Sequence, residues 1–344
     1  MEERALGVFW DVKCDSFGYK AKEMKGPMTK RGILSMLSSI YDPLGLASPF
    51  ILRARRIVQD LFRDKLGWDD HISDEYIGRW EAWVSDLMEM TKVRIPRCIQ
   101  PREALRSQLH HFCDASELAY GAASYLRVEY SDGSVSSTLV MAKSKLAPIK
   151  PLTIPRLELC GATLAARLDG MLRRELEFPL GPSHFWTDST IVLQYLRNEE
   201  RRYHTYVANR VAEIHSETEV AKWYHVPTDL NPADDASRGV EAGALGRGRW
   251  LNGPDFLVQP QESWPSLDIL PPLSKEDPEV RTPKSQGKPT ARSTGFAAIT
   301  KEDKSPDSDP LAFLMARNSS WTRLRRVTAW LLLCKDRWSH EVLT

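Results

Sequence analysis

The chain has 344 residues, 47 Lys and Arg against 46 Asp and Glu, and 42% hydrophobic residues. That length suits two domains of ordinary size, and the near-zero charge balance excludes a partner held by bulk electrostatics, so any affinity for nucleic acid has to come from a local basic face. Five scattered cysteines without CxxC spacing support neither a disulfide framework nor a zinc site; no signal-peptide pattern opens the chain and no run approaches a membrane span, which fits a soluble protein in a reducing, intracellular setting.

"ALGVFWDVKCDSFGYK" alternates bulky apolar with polar residues around a turn and predicts a short hairpin. Two helical blocks follow, one through Ile33, Leu34, Leu37 and Ile40, the other through Ile51, Leu52, Ile57, Val58, Leu61 and Phe62, separated by the breakers of "YDPLGLASP". The second block interleaves Arg53, Arg55, Arg56, Arg63 and Lys65, either as a face that tracks a phosphate backbone or as the solvated side of an amphipathic helix. Tyr76, Ile77, Trp80, Trp83, Val84 and Leu87 mark a third helix.

From about Leu109 the texture turns to strands: "LHHFCD", "AYGAASYLRVEY" and "SVSSTLVMAKSKL", the last two joined by a "SDG" turn. A helix follows over "TIPRLELCGATLAARLDGMLRREL", with Thr153 at its cap and Pro155 in its first turn. "SHFWTDS" is a strand, "TIVLQYLRN" a helix that Ser189 or Thr190 caps, "YHTYVANRVAEIHSE" another helix and "VAKWYHV" another strand. The order is that of an α/β domain, a mixed five-stranded sheet covered by helices. On these strands Trp186, Trp223, Tyr224, His110, His111 and His225 read as core or structural groups. After Gly239 the pattern fades; residues 262–310 have the composition of a disordered linker, and "WTRLRRVTAWLLLCKDRW" forms an amphipathic helix beyond it.

Four carboxylates fall at comparable places in this order. Asp114 ends the first long strand, Glu158 sits in the first turns of the long helix, Asp188 ends the fourth strand and Asp234 follows the fifth. If the first and fourth strands are neighbours, all four meet at one end of the sheet. Such a cluster repels itself unless cations neutralise it, and hard oxygen donors suit Mg²⁺, or Mn²⁺, with substrate phosphate as a further ligand. Two ions roughly 4 Å apart would support in-line hydrolysis of a phosphodiester. Lys143, Lys145, Lys150 and Arg156 near Glu158 are either surface charge or phosphate contacts.

With "LSSIYDPLGLASPF", "LGWDD", "FCDAS", "AKSKLAPIKPLTIPRLELCGA", "FWTDST", "HVPTDLNPADDASRG" and "GPDFL" in this order, the sequence resembles the Pol polyprotein of BEL/Pao-type long-terminal-repeat retrotransposons. The resemblance implies a mainly helical end of a reverse transcriptase (thumb- or connection-like) over 1–100, an RNase H-like domain over 101–240, an extended tail over 241–310 and the start of an integrase-region helix over 311–344. It implies a metal-dependent endonuclease that cuts the RNA strand of an RNA/DNA hybrid, with Asp114, Glu158, Asp188 and Asp234 as catalytic and metal-holding residues. Asp234 is preferred to Asp235 because it keeps an Asp-x-x-Ser-Arg spacing. The nucleic-acid contacts would come from Arg53, Arg55, Arg56, Lys143, Lys145 and Arg156. The partners would be the hybrid and the rest of the reverse transcriptase and integrase, with no membrane, in a cytoplasmic virus-like particle or the nucleus. The polymerase's YxDD-type signature is absent, and between Pro227 and Asp234 there is no His. Two other classes compete: a catalytically silent, nucleic-acid-binding remnant, and an aspartic peptidase, for which no Asp-Thr-Gly or Asp-Ser-Gly is present.

Overall fold

The computed structural model describes residues 2–5, 8–19, 26–100, 102–200, 202–267, 269–274 and 276–281. Met1–Thr282 form one compact unit; the second, Pro283–Thr344, lies outside the described residues, as does the predicted integrase-region helix. In chain order the elements are β1 (Glu2–Ala5), β2 (Val8–Asp11), β3 (Ser16–Gly18), α1 (Lys30–Ser38), α2 (Ser48–Arg63), α3 (Asp74–Met90), β4 (Arg94–Pro96), β5 (Ala104–Ala115), β6 (Ala119–Tyr130), β7 (Val135–Leu146), α4 (Ile154–Glu175), β8 (His184–Thr187), α5 (Thr190–Arg197), α6 (Thr205–Glu217), β9 (Trp223–His225), α7 (Ala233–Arg238) and α8 (Ala242–Arg247). Among these residues no helix is long and apolar enough to cross a membrane, and Cys14, Cys98, Cys113 and Cys160 are free thiols.

The main sheet runs β7-β6-β5-β8-β9. The three long strands pair antiparallel through tight connections, whereas β8 and β9 join parallel to β5 through helical crossovers. This mixed five-stranded order with flanking helices is the RNase H-like fold expected from the sequence. A smaller antiparallel sheet, β1-β2-β3-β4, extends the predicted hairpin with a strand that returns after α3.

Both faces of the main sheet are covered, and β5 and β6 are buried along most of their length, polar residues such as Gln108, His111 and Arg127 included. On one side Cys113, Ala122, Phe185 and Trp223 share a core with Leu159 and Ala166 of α4, Leu196 of α5 and Val207 of α6. On the other, Phe112, Ala123, Tyr125, Leu139 and Trp186 share a core with Ile33, Phe50, Ile51, Ala54, Trp80 and Trp83 of α1, α2 and α3, and with Trp250 and Leu257. The helices of the first hundred residues are therefore one of the two layers that cover the sheet.

The loop "YDPLG" fixes how that layer meets the sheet. Asp42 caps the loop from within, accepting bonds from the backbone N–H groups of Leu46 at 3.0 Å and Ala47 at 2.9 Å and from the Tyr19 hydroxyl at 3.1 Å. Leu44 then accepts from the N–H of Ala142 at 2.9 Å, so the loop satisfies part of the otherwise open edge of β7. Gly45 makes this approach possible: its φ is +71°, and a Cβ there would lie 1.8 Å from the Ala142 carbonyl oxygen. Gly45→Ala is expected to lower stability by well over the about 1–2 kcal/mol of a left-handed backbone alone, because the clash adds to it. A urea midpoint equal to that of the wild type would refute this.

Two expectations need correction. The tail expected to be extended from 241 onwards is folded over residues 242–258: α8 forms, Trp250 and Leu257 are buried, and Leu251 accepts from the N–H of Leu139 at 2.8 Å. Composition under-weighted a few aromatic and leucine side chains that each bury a large apolar area. Residues 282–310 of the predicted linker lie outside the described residues. Thr153 does stand at the N-cap of α4, but its side chain makes no capping bond; Ser189 caps α5, accepting from the N–H of Val192 at 3.3 Å.

At the far end of β5 and β8 the rings of His110 and His184 stack at 4.8 Å, with Trp264 edge-on at 5.0 and 5.1 Å. Burial pushes both imidazoles below the ordinary range, His184 down to about 4. The folded state thus resists a proton that the unfolded chain takes up below the ordinary histidine value of about 6.5. The sign follows: stability falls as pH drops below that value and the loss from His184 is complete near pH 4, at up to about 1.4 kcal/mol per pH unit for each group. Denaturant melts across this range check it, and His184→Gln is expected to flatten the slope.

Candidate active site

Strand pairing places the first two carboxylates. Cys113 of β5 is the partner of Thr187 in β8, and the next residue on each parallel strand is an aspartate, Asp114 and Asp188. Two helices close on this end. α7 lies so near β6 that a Cβ on Gly121 would stand 2.6 Å from the Cβ of Ala236, and α4 so near β5 that a Cβ on Gly161 would stand 3.0 Å from the Asp114 carbonyl oxygen. The glycines of "AYGA" and "LCGA" thus let α7 deliver Asp234, and α4 deliver Glu158, to the strand ends.

Asp114 is buried, 7% exposed, and accepts a hydrogen bond from the Ser237 hydroxyl of α7. Burial, then the charge of Asp188, push its carboxyl up to about 7; Ser237 opposes the shift and Asp234 adds to it. Glu158 is also raised, by burial first, against the Ser189 hydroxyl that donates to it, with Asp188 adding its charge. Asp188 is therefore the group that bears on both of the others. Its own oxygens are held by Thr228 at 2.8 Å and by Asn231 at 3.3 Å, and the fully buried Asn231 also donates to the Cys113 carbonyl at 3.1 Å, tying the loop before α7 to β5.

The neighbouring pair on α7 divides. Asp234 pairs with Arg238 one turn on, lies 4.0 Å from Arg249, and its charge reaches Asp114. Asp235 lies 3.5 Å from Arg249, is raised by burial, and its charge reaches Tyr125 in the core. Among the described residues no three His, Cys, Asp or Glu side chains stand close enough to share one ion as they are. Each carboxylate of the set is engaged with a hydroxyl, an amide or a guanidinium at its own position.

Residues 29–189 match the family described as Pao retrotransposon-like RNaseH-like domain. This stretch of the chain is similar to that family. The match begins at the cap of α1, so it includes the helical layer as well as the sheet, and it takes in Asp114, Glu158 and Asp188. Solved structures similar to the chain include RNase H1 of the halophilic archaeon Halobacterium salinarum, 14% identical, covering 38% of this chain and 93% of its own, with a TM-score of 0.26. LC11-RNase H1 in complex with an RNA/DNA hybrid is 13% identical and covers 41% and 99%, at 0.28. A foamy viral protease-reverse transcriptase in complex with double-stranded DNA is 15% identical and covers 66% and 45%, at 0.24. No curated protein matches the chain.

The basic residues singled out in the sequence separate. Arg53 is turned to Asp86 at 2.5 Å and Arg156 makes a two-pronged pair with Glu279 at 2.5 and 3.0 Å. Arg55, Arg56, Lys143 and Lys145 are exposed on α2 and β7, which pack together, with Arg55 3.4 Å from the Ser144 carbonyl. The residues that sequence reasoning missed are the holders of the carboxylates: Ser189, Thr228, Asn231, Ser237 and Arg249. The Ser-Arg following "DDA" was used only as spacing; nothing local marks Asn231 as the brace between Cys113 and Asp188.

Proposed function

We propose that the domain is a divalent-metal-dependent endonuclease that cuts the RNA strand of an RNA/DNA hybrid, acting within a Pol polyprotein beside polymerase and integrase parts, in a cytoplasmic particle. The observation that carries this reading is the parallel pairing of Cys113 with Thr187, which brings Asp188 and the buried Asp114 to neighbouring strand ends, where burial and like charge raise the Asp114 carboxyl. Carboxylates that raise one another's pKa at a strand end are a site prepared for positive charge. Hard oxygen donors fit Mg²⁺ or Mn²⁺, to be held by Asp114, Glu158, Asp188 and Asp234. Such an ion, when bound, supplies activation of a water and stabilisation of a leaving oxygen.

The chain's own groups do the positioning. Ser237 holds one oxygen of Asp114, Ser189 holds Glu158, and Thr228 with Asn231 holds Asp188 at the strand end. Arg238 and Arg249 set the charge around Asp234. A hybrid would be recognised by its shape, sugar hydroxyls and phosphates. Of the six basic residues named for this role, Arg55, Arg56, Lys143 and Lys145, exposed on the α2–β7 surface, would meet it without giving up the partners that hold Arg53 and Arg156. The clamping of Asp234 by Arg238 favours a second reading, a silent remnant that binds the hybrid without turning it over. Incubation with labelled RNA/DNA hybrid, RNA duplex and DNA duplex, in Mg²⁺ or chelator, separates the two. Metal-dependent loss of RNA from the hybrid alone is expected; saturable binding with no cutting sinks the nuclease.

A further inference from the structure

None of the four carboxylates lines a cleft of about 170 Å³ that opens where β6, β7, α4 and α6 meet. On α4, Cys160 and Arg167 stand two turns apart on one face; α6, packed against α4, turns Arg210 and Glu213, one turn apart, toward them. Tyr120 of β6 and Lys145 of β7 are register partners, so their side chains leave the sheet on the same side and complete the cleft. The charges of Arg210 and Arg167 both reach the Tyr120 hydroxyl, and the Cys160 thiol in the wall lies 3.1 Å from the Tyr206 hydroxyl. Arg210 lies 3.5 Å over the Tyr206 ring and donates to the Tyr206 carbonyl at 3.1 Å. Among the described residues neither Arg210 nor the exposed Lys145 has a carboxylate partner, whereas Arg167 makes a two-pronged pair with Glu213 at 2.6 and 3.1 Å.

Three cations against one carboxylate leave the cleft with a surplus of positive charge, and its other polar groups, the Tyr120 hydroxyl and the Asn209 amide, can both donate. Such a set suits an anion with several acceptor oxygens and close to two negative charges, which describes a phosphate monoester at neutral pH. A backbone diester carries one charge and has to leave the cleft in two directions. The volume admits a phosphoryl group with ease, since about 10–15 Å³ already holds a water. We infer that the cleft is a phosphate site, in which Lys145, Arg210 and Tyr120 take the oxygens of a phosphate monoester and Arg167 joins them at the expense of its pair with Glu213. The same chemistry is offered by free phosphate and by the phosphorylated end of a strand. The inference does not rest on the nuclease reading, because no carboxylate of that site takes part.

The test is calorimetric titration of the full chain with methyl phosphate and with dimethyl phosphate, at low salt and in chelator, so that no metal ion at the carboxylates recruits the ligand. Saturable binding of methyl phosphate is expected, with the diester weaker by at least about 10-fold, the scale of one charge-assisted hydrogen bond. Lys145→Gln and Arg210→Gln should each weaken methyl phosphate by a similar factor, whereas Glu213→Gln, which releases Arg167, should tighten it. Lys145 is exposed, so its substitution tests the site without touching the core. Cys160 gives a readout independent of any variant: methyl phosphate should slow its alkylation, followed cysteine by cysteine by mass spectrometry, and leave the exposed Cys14 and Cys98 unaffected. An oligonucleotide with a 5′-phosphate that displaces methyl phosphate, where its hydroxyl-ended counterpart does not, assigns the site to a strand end; displacement by inorganic phosphate alone assigns it to the free ion. Absence of saturable binding, binding that Lys145→Gln leaves unchanged, or equal binding of dimethyl phosphate overturns the inference.

Discussion

Asp188→Asn is expected to reduce cleavage of the hybrid's RNA strand by at least about 100-fold, the usual scale for removing one preorganised electrostatic group. Asp188 is chosen because its charge bears on both Asp114 and Glu158. The amide keeps the size of the side chain and an acceptor for Thr228 or Asn231, so folding is not the variable: removal of a like charge beside a buried carboxyl leaves stability equal or slightly higher. The same substitution makes a second forecast that does not depend on turnover. With Asp188 neutral, the carboxyl of Asp114 should titrate below its value of about 7, while burial, the larger cause, still holds it above the ordinary aspartate value. Carbon-detected magnetic resonance of the labelled carboxyl reads this directly. Asp234→Asn should act in the same direction on Asp114 and lower cleavage, whereas Asp235→Asn, whose charge reaches Tyr125, should leave the rate near that of the wild type. An Asp188→Asn enzyme that cuts normally, or an Asp114 titration that ignores it, would show that the strand ends do not work as one site.

What the sequence disclosed and what it hid follow from the range of the interactions. Alternation and turn chemistry are local, so the three long strands, the capped α5 and the placement of Asp114 and Asp188 at strand ends were all readable. The choice between Asp234 and Asp235 was not, because it depends on Arg249 and Tyr125, which approach α7 from elsewhere in the chain. Likewise a helical stripe shows that α2 buries one face but not what that face meets; here it meets β7 and one face of the main sheet. Pairing over long separations explains the basic residues too. Nothing near Arg53 or Arg156 foretells Asp86 or Glu279, and each of these partners removes a cation from the surface that a reading by composition would assign to nucleic acid.

A fragment limited to residues 101–240 is expected to be insoluble or to bind hydrophobic dyes, while the full chain unfolds cooperatively. Those bounds keep every carboxylate of the site but strip both neighbours of the edge strand. Ala142 and Leu139 of β7 would lose the carbonyls of Leu44 and Leu251 that accept from their N–H groups, leaving an open edge able to pair with another copy. They would also bare the sheet face formed by Phe112, Tyr125, Leu139 and Trp186, now covered by α1, α2 and α3 and by Trp250 and Leu257. Tyr125 would lose the Trp250 carbonyl, which accepts from its hydroxyl at 2.8 Å, and its oxygen would sit unpaired over an apolar surface. The point version of the experiment is Trp83→Ala. Trp83 is 1% exposed, stacks on Phe50 at 4.9 Å and on Trp80 at 5.1 Å, and donates to the Phe50 carbonyl at 3.1 Å. Truncating such a side chain costs about 3–5 kcal/mol, a large part of the about 5–15 kcal/mol that holds an ordinary domain together. If α1–α3 were an independent region resting on the main sheet, Trp83→Ala would unfold them in a separate transition and leave the far-ultraviolet signal of the sheet intact; a shared core requires one transition, shifted as a whole to lower denaturant.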